Sequence, residues 1–157
     1  MPVTFGNTAF SDARTSVLAE LDALKANLIT NAVVPRFDAV YDTHWEEPLV
    51  DFNALSVSIE EVSSEQLGPN RIEFLYRVEC RIMTGWENQN FDEKVFYDLA
   101  NSVVNWMLTY GASMTNNFRF KQTVPIAIEP NVVFADTRTI GGRVMFTIYG
   151  VEVYTPL

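Results

Sequence analysis

Residues 71–83 read RIEFLYRVECRIM, and this stretch decides the fold. Apolar and charged side chains alternate along it, with Ile72, Phe74, Tyr76, Val78, Cys80 and Ile82 in one row and Arg71, Glu73, Arg77, Glu79 and Arg81 in the other. A period of two predicts a β-strand with one face on a core and the other in water or on a polar partner. The stretch would span roughly 43 Å, whereas a compact domain of this length is only about 39 Å across. We therefore expect the strand to cross the domain, to bend, or to project as part of a long hairpin.

The composition predicts one folded domain, residues 1–157. Hydrophobic residues make up 48% of the 157 positions, which is enough for a sizeable core. A formal net charge of -9 argues against a basic face that wraps duplex nucleic acid. The single cysteine, the absence of a signal-like amino terminus and the lack of a long apolar run predict a soluble intracellular protein without a membrane span.

The negative charge is concentrated in one segment. Between Phe37 and Asn70 lie eight acidic residues and no Lys or Arg. These acids are Asp38, Asp42, Glu46, Glu47, Asp51, Glu60, Glu61 and Glu65. The rest of the chain holds the remaining 12 of the 20 acids against all 11 bases, so it is nearly balanced.

The periodicities along the chain predict two helices and six strands. We expect helices over Ser11 to Thr30 and after the loop Gly85 to Asn90, where Asn90 is the predicted cap. The predicted strands are Phe37 to Tyr41, the segment around Leu55 to Ile59, the long strand from Arg71, Phe118 to Val124, Asn131 to Arg138 and Arg143 to Tyr154. Predicted turns lie at Leu67–Asn70 and Thr139–Gly142.

This order, α-β-β-β-α-β-β-β, predicts the α+β class: a mixed, mainly antiparallel sheet with two helices packed on one face. The second helix is apolar over more than half of its circumference, so it must be covered on two sides. The sheet supplies one side, and the first helix or a neighbouring subunit supplies the other. The last strand is apolar on both faces, which places it centrally in the sheet or against another chain.

No catalytic motif emerges from the sequence, and we expect neither enzymatic activity nor a cofactor. The only histidine, His44, lies among Asp42, Glu46 and Glu47, which reads either as a carboxylate-rich metal site or as a solvated acidic loop; the spacing matches no known ligand pattern. Cys80 falls in the apolar row of the long strand, where a cysteine behaves as a small hydrophobic residue. We therefore assign no catalytic, cofactor or metal residue.

The chain resembles the tail terminator, or tail completion, proteins of long-tailed bacteriophages. The resemblance lies in the order of the elements and is carried by five segments: SDARTSVLAELDALKANL, YDTHWEEP, RIEFLYRVECRIM, DEKVFYDLANSVVNWM and RVMFTIYGVEVYTP. It implies a structural virion protein that caps the tail tube as a hexameric ring, ends tube growth and forms the joining face to the head connector. It implies the virion tail or neck as the location, with the host cytoplasm during assembly. The partners implied are further copies of the chain, the tail tube protein and a connector or neck protein. DNA would pass through without specific binding, and no membrane is involved.

Two other functions remain open at this point. One is another neck or connector protein of the virion, and the other is a small-molecule-binding α+β domain or enzyme with its pocket between the sheet and the second helix.

Two sets of charged residues are the candidate functional positions. Arginines of the balanced part of the chain are expected at the subunit interface or else on a solvated, cross-strand-paired face: Arg71, Arg77, Arg81, Arg119 and Arg143. Three acids, Glu60, Glu61 and Glu65, are expected to border the ring opening, where carboxylates repel DNA phosphates, or to be solvated on the outer rim.

Overall fold

The computed structural model describes residues 19, 21–31, 37–41, 53–68, 71–110, 118–120 and 126–153. For residues 61, 63–68, 71, 72, 74, 110, 118–120 and 150–153 it describes the backbone only. Helix α1 covers residues 21–31, and the other elements are β1 (Ala39–Tyr41), β2 (Ala54–Gly68), β3 (Arg71–Trp86), α2 (Glu93–Tyr110), β4 (Phe118–Phe120), β5 (Ala127–Phe134) and β6 (Thr139–Val153). The predicted α+β class and order of elements are therefore confirmed.

The six strands form one sheet in the order β1-β2-β3-β6, with β4 and β5 both paired to the far side of β6. Among the described strands, only β1 and β2 run parallel, and the other pairs are antiparallel. The last strand is thus central in the sheet, as its apolar residues on both faces predict.

Strand β3 is a long interior strand of the sheet. It is 16 residues long and pairs with β2 on one side, from Arg71 to Met83, and with β6 on the other side, from Arg71 to Trp86. The registers place Val57, Cys80 and Val144 side by side, so the alternating pattern of β3 continues into both neighbours. The period-two prediction for residues 71–83 is correct, and the strand extends three residues beyond it.

The main core lies between the two helices and one face of the sheet. Leu21, Leu24 and Leu28 of α1 belong to the same buried cluster as Phe96 and Val103 of α2. The strands contribute Leu55, Val57, Tyr76, Val78, Cys80, Ile82, Val144, Phe146 and Ile148. Both helices therefore pack on one face, and α1 and the sheet cover the apolar surface of α2 from two sides.

A smaller apolar cluster lies near the end of the sheet on the opposite face. Ala54, Met83 and Phe134 are buried there, and Tyr41 and Val132 pack against them. It joins the ends of β1, β2, β3 and β5.

The predicted hairpin turn at Thr139–Gly142 is wrong. The turn lies at residues 135–138, where Arg138 has a φ of 54°, and Thr139–Gly142 belong to β6. The two glycines are needed for close packing. A Cβ on Gly141 would overlap the carbonyl oxygen of Ile82, and one on Gly142 would lie 2.5 Å from the carbonyl oxygen of Glu129 and close to the ring of Phe96. Irregularities in both neighbouring strands flank this point, at Met83/Gly85 and Pro130/Val132. Glycine in a strand commonly marks such a close approach.

The start of the second helix also differs from the prediction. Asp92, and not Asn90, caps α2: its Oδ1 accepts a hydrogen bond of 3.2 Å from the backbone N–H of Val95, and its carbonyl oxygen accepts one of 3.1 Å from Phe96. An aspartate in this position satisfies a backbone donor that has no partner within the helix.

Candidate functional site

The face of the sheet opposite the helices carries four of the eight charged candidates. Alternate residues of three neighbouring strands form it, and we call it the charged face: Ser56, Ser58, Glu60, Arg77, Glu79, Arg81, Arg143, Met145 and Thr147. Their neighbours in sequence belong to the main core, and successive side chains of a strand point to opposite faces. The registers place Ser56, Arg81 and Arg143 in one line across the three strands, and Glu60, Arg77 and Thr147 in another.

Two arginines and three acids on this side of the sheet form a continuous chain of ion pairs. Glu79 Oε1 accepts hydrogen bonds from both arginines, at 3.3 Å from Arg81 Nε and 3.2 Å from Arg143 Nη1. Arg81 Nη1 lies 2.9 Å from Asp136 Oδ2, and Arg143 Nε lies 2.6 Å from Glu129 Oε2. The side chains are between 20% and 44% exposed, so water screens the pairs only in part. The order along the chain of ion pairs is Asp136, Arg81, Glu79, Arg143, Glu129.

An aromatic ring and a fixed carboxylate partner also hold the guanidinium of Arg81 in position. Its guanidinium carbon lies 5.1 Å from the centroid of the Phe134 ring, within the range of a cation–π contact. Asp136 is itself held, because its Oδ1 accepts a hydrogen bond of 3.0 Å from the backbone N–H of Thr137. The ion pairs therefore connect the middle of β3 to the turn between β5 and β6.

The guanidinium of Arg143 remains charged. Its hydrogen bond to Glu129 raises its pKa most, and the hydrogen bond to Glu79 raises it further against the opposing effect of burial. Arg143 thus joins β6 to β5 and β3 through a permanent positive charge.

The structure separates the five arginines expected at a subunit interface. Arg81 and Arg143 are paired within the chain, while Arg77 is exposed on the charged face opposite Glu60. Only the backbone positions of the other two are described: Arg71 is opposite Gly68 and Val153, and Arg119 is opposite Tyr149. Their place at an interface stays a prediction.

The three acids expected to border a ring opening all lie on β2. Glu60 is exposed and shares the charged face with Arg77. Glu61 and Glu65 are placed by their backbone alone, opposite Tyr76 and Glu73. The structure thus places Glu60, expected at the ring opening, beside Arg77, expected at a subunit interface. The sequence analysis had assigned these two residues to different surfaces.

Sequence reasoning missed two of the three acids that hold the arginines. Glu129 lies 14 residues from Arg143, and Asp136 lies 55 residues from Arg81. Only the strand registers bring these residues together, and no local pattern in the sequence reports such a register.

The described part of the chain offers little to a metal or a nucleophile. Within it no group of three or more His, Cys, Asp and Glu side chains is arranged to hold a metal ion. His44 and its acidic neighbours lie outside the described residues. Cys80 is fully buried, and burial, aided by the charge of Glu79, raises the pKa of its thiol far above its usual range. A thiol in that state is not a nucleophile near neutral pH.

The space between the sheet and α2 is filled by the main core. Phe96 and Val103 of α2 and Val78 of β3 are all fully buried there. An open surface depression of about 660 Å³ lies at the start of the helix, and its lining comes from one short segment of the chain, Asn90, Phe91, Asp92, Glu93, Lys94 and Tyr97. A ligand pocket is usually more enclosed and draws its lining from several elements.

Several large apolar side chains are exposed on the outer parts of the molecule. On and next to β5 these are Ile126, Ile128 and Val133, which are 41%, 39% and 52% exposed. Leu108 of α2 is 74% exposed, and Val62 of β2 is 51% exposed.

The sequence matches no protein-family model, and no curated protein matches it significantly. Neither α2 nor any other helix among the described residues is both long enough and apolar enough to span a membrane.

Proposed function

We propose that this chain is a structural virion protein that caps the tail tube of a long-tailed bacteriophage as a ring of six copies. In this role it ends tube growth, presents the joining face to the head connector or neck protein, and has no catalytic activity or cofactor. It assembles in the host cytoplasm and stays in the tail or neck of the virion. The proposal rests on the resemblance of the element order and on the surface described next.

The observation that carries the proposal is the apolar surface on β5. Ile126, Ile128 and Val133 are each at least 39% exposed. Single exposed apolar residues are common on monomeric proteins, but a row of them along an outer strand is typical of surfaces that a partner covers. A second copy in a ring would bury this row.

The charge distribution supports passage of DNA without binding. The chain has a formal net charge of -9, and Glu60 is exposed on the charged face. Phosphate binding needs clustered Lys and Arg, whereas Arg81 and Arg143 on this face are already paired with acids of the same chain. If the charged face borders the opening of the ring, it repels the duplex.

The alternative of a small-molecule-binding domain receives less support from the fold. Its pocket was expected between the sheet and the second helix, where Phe96 and Val103 are buried in the main core. Another neck or connector protein would share the exposed surface, so only binding to the tail tube distinguishes that function from a terminator.

The test is particle mass combined with tube binding. Native mass spectrometry over a range of concentrations should show a particle of about 107 kDa, six times the chain mass of 17.8 kDa, and negative-stain images should show a ring. Tail tubes assembled from the tube protein of the same genome should bind the chain at one end and stop growing. A chain that stays monomeric at high concentration and also leaves tube length unchanged would overturn the proposal.

A further inference from the structure

Strand β2 has a long edge without a described partner strand. Strand β1 pairs only with Ala54 to Ser56, so from residue 57 to residue 68 the strand β3 is the one neighbour of β2 in the described part of the chain. This edge is roughly 40 Å long. An edge of that length, without a partner among the described strands, presents a row of backbone donors and acceptors that can pair with another strand.

On the opposite side of the sheet at the same level, β4 is the outermost strand among the described residues. Cross-strand partners run from Ser63 through Leu75 and Tyr149 to Arg119, and from Ser64 through Phe74 and Gly150 to Phe118. At this level the described part of the sheet has four strands, β2-β3-β6-β4, and each is antiparallel to the next. Strands β2 and β4, at the two sides, therefore run in opposite directions.

The alternation of direction makes a second copy of this chain a suitable partner. A copy related by rotation about an axis parallel to the strands places its β2 antiparallel to β4 of the first copy, so the antiparallel pattern continues between copies. The charges also match: residues 57–68 of β2 include Glu60, Glu61 and Glu65 without any Lys or Arg, and β4 carries Arg119.

We propose that the outer edge of β2 pairs through main-chain hydrogen bonds with the outer edge of β4 in a second copy. The contact joins two different surfaces, so repeating it generates a closed ring if the rotation closes. The inference rests on the self-association in the proposed function and specifies its strand contact. Strands β4 and β5 both lie beyond β6, so a copy paired with β4 also lies next to the exposed apolar row on β5.

The neighbouring strand β5 is a poorer partner for such pairing. Pro130 lacks a backbone N–H, and the register shift between Pro130 and Val132, where Asn131 has a φ of 57°, interrupts the strand. These features protect an edge against pairing. Strand β2 has two register shifts of its own, at Glu61/Ser63 and Gln66/Gly68, but residues 57–68 contain no proline, so each of them keeps its backbone N–H. The acids of this segment favour a partner with basic residues.

Engineered disulfides provide the test. Arg119→Cys is combined in turn with Ser58→Cys, Ser63→Cys and Glu65→Cys, three positions whose registers with β3 place them on one face of the sheet. Within one chain β2 and β4 are separated by two strands and lie roughly 14 Å apart, whereas a disulfide requires Cα atoms within about 7 Å. Any bond between these positions must therefore join two copies. Cys80 is buried and leaves the background low.

The matched control is Arg119→Cys with Ser64→Cys, because Ser64 lies on the same edge but on the other face. We expect at least one of the three pairs to form cross-linked oligomers in about tenfold excess over this control under mild oxidation. Amide hydrogen exchange on the unmodified chain is the second measurement, and it should slow for residues 57–68 as concentration rises. Oligomers that show neither cross-linking nor slower exchange would overturn the edge contact and leave the ring proposal standing. A monomer at every concentration also overturns the edge contact, and tube binding then decides the proposed function by itself.

Discussion

The indole of Trp106 donates a hydrogen bond of 2.9 Å from Nε1 to Oδ1 of Asn27, which joins the two helices across 79 positions of sequence. Trp106 is 4% exposed and packs on Phe146 of the sheet, with the ring centroids 6.2 Å apart. Asn27 therefore holds α1 at the point where α2 meets the sheet.

Replacing Asn27 with Ala should destabilise the fold, because it removes an acceptor from a buried N–H. We expect a loss of about 1 kcal/mol in the free energy of unfolding, measured by urea denaturation. Asn105→Ala is the control, since Asn105 is exposed on α2 and should change the free energy by less than about 0.5 kcal/mol. Equal effects of the two changes would show that the contact does not stabilise the fold.

Replacing Gly141 with Ala should be severely destabilising, because the new Cβ would overlap the backbone carbonyl of Ile82, which cannot move alone. We expect a loss of about 3 kcal/mol or more in thermal or urea unfolding. Gly85→Ala is the matched control, since its Cβ meets only the flexible end of the Gln89 side chain, and it should cost about 1 kcal/mol. If Gly141→Ala were as mild as the control, the close approach to Ile82 would not require a glycine at this position.

These glycines show where sequence reasoning stops. The alternation in residues 71–83 predicts β3 because a period of two depends on that strand alone. Adjacent glycines resemble a hairpin turn, but here the strands beside β6 approach too closely for a Cβ, and the turn lies at residues 135–138. The chain of ion pairs was equally beyond prediction, since Arg81 meets Asp136 only when the registers of β3, β5 and β6 are known.

Arg81 should contribute more to stability than Arg77, although both were equivalent candidates in the sequence. Arg81→Ala removes two ion pairs and the contact with Phe134, and we expect a loss of about 1–2 kcal/mol. Arg77→Ala, at an exposed position, should stay within about 0.5 kcal/mol. The difference should shrink in 1 M NaCl, where the screening length is about 3 Å. If the difference between the two variants does not change with salt, packing and not ion pairing accounts for the effect of Arg81.

The Cys80 thiol should not react in the folded chain, and its ionisation in the unfolded chain should make the free energy of unfolding depend on pH. The folded chain should not react with a thiol reagent at pH 8, and Cys80→Ser should cost about 1–3 kcal/mol because a hydroxyl is then buried in the main core. Burial raises the pKa of the Cys80 thiol in the folded state. Below about pH 8.5 the thiol is neutral in both states, so its contribution to stability is fully present. Above that pH the thiol ionises in the unfolded chain but not in the folded one, and the free energy of unfolding falls. The stability advantage over Cys80→Ala should therefore narrow as the pH rises from 8 to 10. Rapid modification of the native protein would contradict this.

The last prediction concerns Glu60 on the charged face. If this face borders the opening of a ring, Glu60→Lys places a positive charge beside Arg77 inside the opening and creates a weak site for phosphate. We expect the ring of this variant to bind linear duplex DNA at low salt about tenfold more tightly than the unmodified ring does. Glu87→Lys is the matched control, because it makes the same change of charge at an exposed position in the loop after β3.

The shape of the DNA separates the opening from the outer rim. A linear duplex can thread through a preassembled ring from its end, whereas a closed circular duplex of the same sequence cannot. Glu60→Lys rings should therefore bind the linear form and release it slowly, and they should bind the circular form no better than Glu87→Lys rings do. Fluorescence anisotropy measures the binding of the linear and the circular DNA at low and high salt. Binding through phosphate should weaken steeply as the salt concentration rises. Equal binding of linear and circular DNA by Glu60→Lys rings would place Glu60 on the outer surface and remove the charged face from the channel.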